Sequence, residues 1–316
     1  MPMIKLSCAK RCPRLVKLPF YGILAAVFLL SFSIGFYLWN AYRYPMVSVV
    51  MPTYNRADLL KRSIESILNQ TYRNFEFIIV DDGSTDESVA LIKSYAQNDR
   101  RIKLLINDKN RGISYSRNRG NAAARGTYIM IMDSDDISMP NRMGRQVEFM
   151  QNHPEFVLST SWRVKIGEEN KVHPSVRNME PHYLFGMYAG HGEWMLRRSF
   201  LTARDIRYDE ARLSSEDYDY LRQILTNHGK IGYIDEALYL RRVHRTNPDS
   251  YYRAQRANAY DTSSTFLRQY GVPEEMIARR RTCEIFDFVV QANKEKNYLA
   301  QELLEIAHQK CQTAGN

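Results

Sequence analysis

From residue 47 onward, short apolar runs alternate with amphipathic stretches. Val47 to Met51 is a β-branched run that suits a buried first strand. Pro52 stops it, and Thr53, Tyr54 and Asn55 form the following loop. Asp58 is placed to cap a helix reaching about Gln70, with Leu59, Leu60, Ile64, Ile67 and Leu68 on one face. Phe75 to Val80 reads as a second strand ending in Asp81, Asp82, Gly83 and Ser84, and a helix is expected from about Asp86 to Ala96. Ile102 to Ile106 is a third strand. Asn110, Arg111 and Gly112 break it, and a helix from about Ser114 to Ala124 leads to a strand that starts at Tyr128. This alternation predicts an α/β fold, with a mostly parallel sheet and helices on both faces. Beyond Asp136 the pattern is mixed, and past Tyr251 it is helical, over roughly 252–269, 273–294 and 297–312.

Upstream, Phe20 to Trp39 is one uncharged apolar run, long enough to cross a bilayer core as a helix. Tyr21, Tyr37 and Trp39 lie near its ends, as interfacial aromatics do. Lys5, Lys10, Arg11, Arg14 and Lys17 precede it. The run is long for the apolar region of a signal peptide and has no clear small-residue cleavage site, so an uncleaved anchor is expected. The chain is thus expected to comprise a basic tail over 1–17, a transmembrane anchor over 18–43, an α/β domain over 44–250 and a helical region over 251–316. The side of the membrane stays open. The basic tail favours a cytoplasmic N-terminus and a translocated domain. In bacteria, however, the activated small molecules that an enzyme would draw on are cytosolic. A single-pass protein of the bacterial inner membrane is the favoured location.

Composition narrows the class. The chain has 316 residues, enough for a real core, with globular proportions of charged and apolar residues. A net charge of +9 is spread along the chain without a nucleic-acid motif, so no nucleic-acid partner is expected. Anionic lipids, diphosphates or acidic acceptors account for it equally well. Four cysteines, at 8, 12, 283 and 311, make neither a disulfide framework nor a metal-ligand spacing.

The chemistry concentrates at strand ends. The strand from Tyr128 ends abruptly in Asp133, Asp135 and Asp136. Carboxylates at the C-terminal end of a buried strand sit where open α/β sheets bind ligands. Clustered carboxylates repel unless a hard cation such as Mg²⁺ or Mn²⁺ shares their charge with substrate phosphate. The alternative is an acidic turn capping the next helix. Pro52 and Tyr54 could stack on a nucleobase. Asp81 and Asp82 could accept hydrogen bonds from base or ribose. No Gly-rich dinucleotide or phosphate loop is present, so metal and basic residues must neutralise phosphates, with Arg111, Arg117 and Arg119 as candidates.

Two long segments carry a family resemblance. They are VSVVMPTYNRADLLKRSIESILNQTYRNFEFIIVDDGSTDES and NRGISYSRNRGNAAARGTYIMIMDSDD, with MPNRM at Met139 to Met143, SSEDYDYLRQIL at Ser214 to Leu225 and RRVHRTN at Arg241 to Asn247 following in order. Together they resemble glycosyltransferase family two, with its GT-A fold, over about two hundred residues from Val47 to His244. The resemblance implies a metal-dependent, inverting, non-processive transferase. Such an enzyme moves one sugar from a nucleotide-diphosphate sugar, UDP-sugars being favoured, to a glycan or glycolipid acceptor in surface polysaccharide or lipopolysaccharide synthesis. It makes Asp133-Ser134-Asp135 the element that holds the diphosphate through Mn²⁺ or Mg²⁺, with Asp135 the better metal ligand and Asp133 facing ribose or sugar. Pro52, Tyr54, Asn55, Asp82 and Arg117 match nucleoside-binding positions. Asp217 matches the general base, and His244 a late metal or diphosphate ligand.

Independent chemistry agrees on Asp217, because a recessed carboxylate within reach can deprotonate an attacking hydroxyl. Glu216 to Asp219 also suit the acidic first turn of a helix. Trp194 is a candidate for stacking on an acceptor sugar or for the core. Arg279 to Arg281 is a basic run suited to lipid headgroups or to a solvated helix face. The absence of a Q-x-x-R-W element and of several spans favours transfer of a single sugar. A catalytically silent membrane-tethered scaffold of the same fold is the alternative. A nucleotidyltransferase would need a Gly-rich loop where PTYNRAD stands.

Overall fold

A computed structural model of the chain describes residues 43–166, 172–173, 190–212, 214–243, 249–269, 271–279, 284–285 and 288–289. The basic tail, the apolar segment through residue 42, His244 and the expected helix over 297–312 lie outside the described residues. Of the basic run, only Arg279 is described. Among the described residues, no helix is long and apolar enough to cross a membrane. The chain divides into two compact units, Met1–Pro45 and Met46–Asn316, and the second holds every described strand.

The expected alternation is present. Strand β1 (Val47–Thr53) leads to helix α1 (Ala57–Leu68), β2 (Phe75–Asp81), α2 (Ser88–Asn98), β3 (Ile102–Ile106), α3 (Ile113–Ala123) and β4 (Tyr128–Ile131). Strands β1, β2 and β4 are buried at every position, as sheet covered on both faces requires. Their side chains split by parity into two cores. Val50, Ile78, Val80, Ile129 and Ile131 belong to one core; Val49, Met51, Phe77, Ile79, Met130 and Met132 belong to the other. Leu60, Ile64 and Ile67 of α1 close the second core. Each such side chain contributes roughly 1.5–3 kcal/mol on burial.

Beyond β4 the chain adds β5 (Ile137–Ser138), α4 (Arg142–Asn152), β6 (Phe156–Ile166), β7 (Val172–His173), β8 (Met195–Arg197), α5 (Arg198–Ala203), α6 (Glu216–Thr226), β9 (Lys230–Arg242), α7 (Asp249–Gln269) and α8 (Glu274–Arg279). Residues 284–285 and 288–289 are also helical. The nine described strands form one sheet in the order β3-β2-β1-β4-β8-β6-β9-β5, with β7 on β6. Strands β3, β2, β1 and β4 are mutually parallel, β8 is antiparallel to both its neighbours, and β6 runs parallel to β9. The C-terminal ends of β1, β2, β4, β6 and β9 therefore share one edge, and the start of β8 joins them there.

Candidate active site

The chain leaves β1 toward β2 and β3, then returns to place β4 on the other side of β1. The strand order reverses at β1, and an open α/β sheet binds ligands in the crevice at such a point. A cleft of about 910 Å³ opens there. Its lining includes Pro52, Tyr54, Asp82, Arg117, Asp133, Asp135 and Asp217, drawn from positions up to 165 residues apart.

On the β2 side the motif residues bind mostly to one another. Asn55 does not line the cleft. It adopts a left-handed φ of 49°, its N–H donates to Ser84 Oγ at 2.9 Å, and its Oδ1 accepts from the Thr85 N–H at 2.8 Å. Asp58 is not the cap of α1. The Ala57 N–H donates instead to the Asp86 carboxylate at 3.0 Å, and the Arg56 N–H to Ser88 Oγ at 3.0 Å. A cap from the next loop locks the β1–α1 and β2–α2 loops together, which a local capping rule cannot foresee.

Asp81 folds back on the Gly83 and Ser84 N–H groups at 3.1 and 2.9 Å. Asp82 lines the cleft and accepts from the Arg111 N–H, the Gly112 N–H and Asn107 Nδ2 at 2.9, 2.9 and 2.6 Å, which fixes the loop before α3. Arg111 pairs with Asp108 at 2.9 Å, and Arg119 binds the Ile106 carbonyl and Asn107 Oδ1. Neither Arg111 nor Arg119 lines the cleft. Tyr54, 41% exposed, presents a ring at the cleft wall.

Arg117 is the hub. Its side chain is 4% exposed. Nη2 donates to Asp133 Oδ1 at 3.2 Å, Nη1 donates to Glu216 Oε1 at 2.6 Å, and the guanidinium lies 5.5 Å from the centre of the Tyr208 ring. One buried cation thus joins the acidic end of β4 to the first turn of α6, across 83 residues of sequence. Asp217 follows Glu216. It is recessed in the cleft wall, and its carboxylate accepts from the Tyr218 N–H at 2.8 Å. Burial, and then the Glu216 charge, push its pKa up to about 6 despite the opposing pull of Arg117. Ser215, just before α6, has a left-handed φ of 58°, and its hydroxyl donates to the Gln255 carbonyl of α7 at 3.1 Å. Asp219 is buried against Arg222 and Gln223, each at 2.9 Å.

The three β4-end carboxylates are crowded. Burial raises Asp133, with Asp135 adding to the rise against Arg117. Burial, then Asp133 and Asp135, push Asp136 up to about 8, although it accepts from the Arg242 N–H at 2.7 Å. Asp135 lies 3.8 Å from Arg56. Such repulsion between hard oxygen donors suits a divalent cation. Among the described residues, no three His, Cys, Asp or Glu side chains are grouped to hold an ion unaided. An ion here would complete its shell with water or substrate oxygens, the usual habit of Mg²⁺.

Other lining residues carry no role in the family resemblance. Arg56, Arg163, Arg241, Arg242 and Arg256 make the walls basic. Arg256 and Gln255 come from α7, so that helix forms part of the cleft and packs against α6. Arg142 is fully buried. It donates to the Ile131 and Gly192 carbonyls at 3.1 and 2.8 Å, fastening the end of β4 to the segment before β8. Trp194 does not line the cleft. It is 0% exposed, in the core cluster with Leu196 and Leu221, so the core reading of this residue holds.

A deep cleft at the switch point, with an acidic strand end and a recessed carboxylate opposite, brings together groups suited to a group-transfer enzyme. Residues 48–213 match glycosyl transferase family 2, and the chain belongs to that family. An uncharacterized glycosyltransferase of Methanocaldococcus jannaschii is 36% identical over 234 residues, covering 70% of this chain and 79% of that protein. The succinoglycan biosynthesis protein ExoO of Rhizobium meliloti is 29% identical over 255 residues, covering 75% and 73%. The mannosyltransferase of Pyrobaculum calidifontis, solved with GDP-Man and Mn²⁺, superposes with a TM-score of 0.59 at 18% identity over 90% of each chain. The GT-A-like α/β fold and the glycosyltransferase class expected from the sequence therefore stand.

Proposed function

We propose that this glycosyltransferase moves a single sugar, with inversion, from a nucleoside-diphosphate sugar to a hydroxyl of a glycan or glycolipid acceptor in surface polysaccharide synthesis. The observation that carries the proposal is that Asp217, Asp133 and Asp135 line one cleft, with Arg117 tying the two motifs together. Tyr54 and Pro52 offer the nucleobase a stacking wall. Asp82 holds the loop that frames it. Arg56, Arg241 and Arg242 offer positive charge to the diphosphate.

Asp217 accepts the proton of the acceptor hydroxyl as that oxygen forms its bond to the anomeric carbon, and the bond from that carbon to the diphosphate oxygen breaks with its electron pair. A recessed carboxylate with a pKa of about 6 is ionised at neutral pH yet basic enough to take the proton. Asp135, with Asp133 and with His244 from outside the described residues, would hold Mn²⁺ or Mg²⁺. The ion would supply charge neutralisation to the leaving diphosphate. The apolar run from Phe20 to Trp39 would keep the enzyme at a membrane, where a lipid-linked acceptor resides.

The test is transfer and donor hydrolysis by the full chain with Mn²⁺ and UDP-, GDP- and dTDP-sugars. Wild type is expected to turn over one donor class, and Asp217→Asn to bind that donor and not turn it over. Full activity in Asp217→Asn would remove the proposed base. Fractionation of the full chain tests the anchor, which fails if the protein stays in the supernatant.

A further inference from the structure

The cleft continues past the β4 carboxylates to a polar patch that this chemistry leaves unused. Strand β8 runs antiparallel to β4, with Met130 opposite Met195, so the residues entering β8 lie beside those leaving β4. Among them Glu193 lines the cleft, yet it is only 1% exposed. Neither of its carboxylate oxygens accepts a hydrogen bond, and its ion-pair partner, Arg163 Nη1, stands 3.5 Å away. A buried carboxylate without donors is costly to keep, so it calls for an explanation.

The patch is rigidly built. Arg142 and Gln146 of α4, both fully buried, donate to the Gly192 and Glu193 carbonyls at 2.8 Å each. A Cβ at Gly190 would meet the Glu193 carboxylate in its present position, and one at Gly192 would meet the Tyr239 hydroxyl. Arg163 follows a register break in the β6–β9 pairing at Trp162, the kind of irregularity that re-aims a side chain. Its Nε has no hydrogen-bond partner, nor has Nδ1 of the adjacent His191. His191 is held by its other nitrogen, 2.7 Å from the Tyr208 hydroxyl. A carboxylate wants O–H donors, and a guanidinium wants oxygen acceptors. Two neighbouring hydroxyls on a sugar ring supply both. Arg163, Arg142 and Arg241 oppose the rise that burial imposes on the Glu193 carboxyl, so positive charge already stands near it and a neutral polyol fits better than an amine.

We infer that Glu193 and Arg163 form a hydroxyl-recognition subsite that takes adjacent hydroxyls of a sugar ring, on the side of the β4 carboxylates opposite the nucleoside wall. This rests on the glycosyl-transfer reading. The ring belongs either to the donor sugar or to the acceptor, and the test separates them.

Full-length wild type, Glu193→Gln and Glu193→Ala are compared with Mn²⁺ present. Calorimetry measures binding of free UDP and GDP and of UDP-glucose, UDP-galactose, UDP-N-acetylglucosamine and GDP-mannose. Turnover is read without acceptor and with a panel of p-nitrophenyl glycosides. In the variants free-nucleotide affinity is expected within about twofold of wild type and the thermal midpoint is expected not to fall. Glu193→Ala should lose about 10–100-fold on one sugar, and Glu193→Gln less, as loss of hydrogen bonds to a charged group implies. A donor subsite shows the loss in nucleotide-sugar affinity and acceptor-free hydrolysis. An acceptor subsite shows it in KM for the glycoside alone. The loss should vanish with the deoxy analogue lacking the recognised hydroxyl. Donor and glycoside parameters all within twofold of wild type would overturn the subsite, as would a lowered midpoint with a parallel loss of free-nucleotide binding. Wild type that binds and turns over no donor sinks the transfer reading itself, and the subsite with it.

Discussion

The two sides of the cleft use polar groups in opposite ways. On the β2 side Asp82, Asp86 and Asn55 accept hydrogen bonds from backbone N–H groups of neighbouring loops, and the motif DDGSTDES largely holds its own shape. Toward α6 and β8, charge is left under-compensated. Asp217 is pushed up to about 6, and Glu193 keeps two oxygens without donors. A satisfied network is rigid and shapes a surface, whereas an unsatisfied group is reserved for something that arrives later. On the proposed function, one side is a finished wall for the nucleoside, and the other waits for its substrate.

This contrast can be broken most sharply at Asp217. Replacing it with Asn should lower kcat by about 10²–10⁴-fold with donor affinity kept, measured by product formation against calorimetric binding. Donor affinity lost in step with kcat would place Asp217 in binding instead. Arg117→Ala comes next. It leaves the half-buried Asp133 and Glu216 without their cation and should destabilise the fold by about 2–4 kcal/mol in denaturant titration, with both motifs displaced. A change under about 1 kcal/mol would show the hub to be ornamental.

The pH dependence sharpens the same comparison. Below about pH 6 Asp217 holds a proton and cannot accept another, so kcat/KM should rise through that range and level off above it. The sign for stability is the reverse. A carboxylate whose folded pKa is raised disfavours the folded state increasingly as pH climbs from the unfolded value near 3.9 to the folded one, and by a constant amount above. Asp217→Asn should therefore melt higher than wild type at pH 7.5 and no higher at pH 3.5, by calorimetry. The smallest effect is expected on the finished side. Asp86→Ala uncaps α1 from outside and should cost about 0.5–2 kcal/mol, with KM for the donor moving more than kcat.

The sequence made the parallel half legible because its signals are local. Strand β3 lies where periodicity put it, at Ile102–Ile106, and α1 to α3 begin within about two residues of expectation. What escaped was set by contacts across the chain. The cap of α1 comes from Asp86, 29 residues on. Trp194 went to the core because β8 inserts between β4 and β6, a pairing no local pattern announces. By resemblance Arg117 matches a nucleoside contact, whereas its bond to Glu216 depends on how α6 docks. Glu193 stood in an undistinguished HGEW segment. The glycines at 190 and 192 were the one available hint, since closely spaced glycines often mark where another group approaches the backbone.

The shared guanidinium of Arg117 also limits how this scaffold can be redesigned. A transplanted α6 lacking a counterpart of Glu216 would leave Arg117 over-attracted to Asp133, shifting the acidic end of β4 with it. On the proposed function, a swap intended to change only acceptor choice would then alter donor handling too. Chimeras of this enzyme should therefore exchange residues 117, 133 and 216 as a single module.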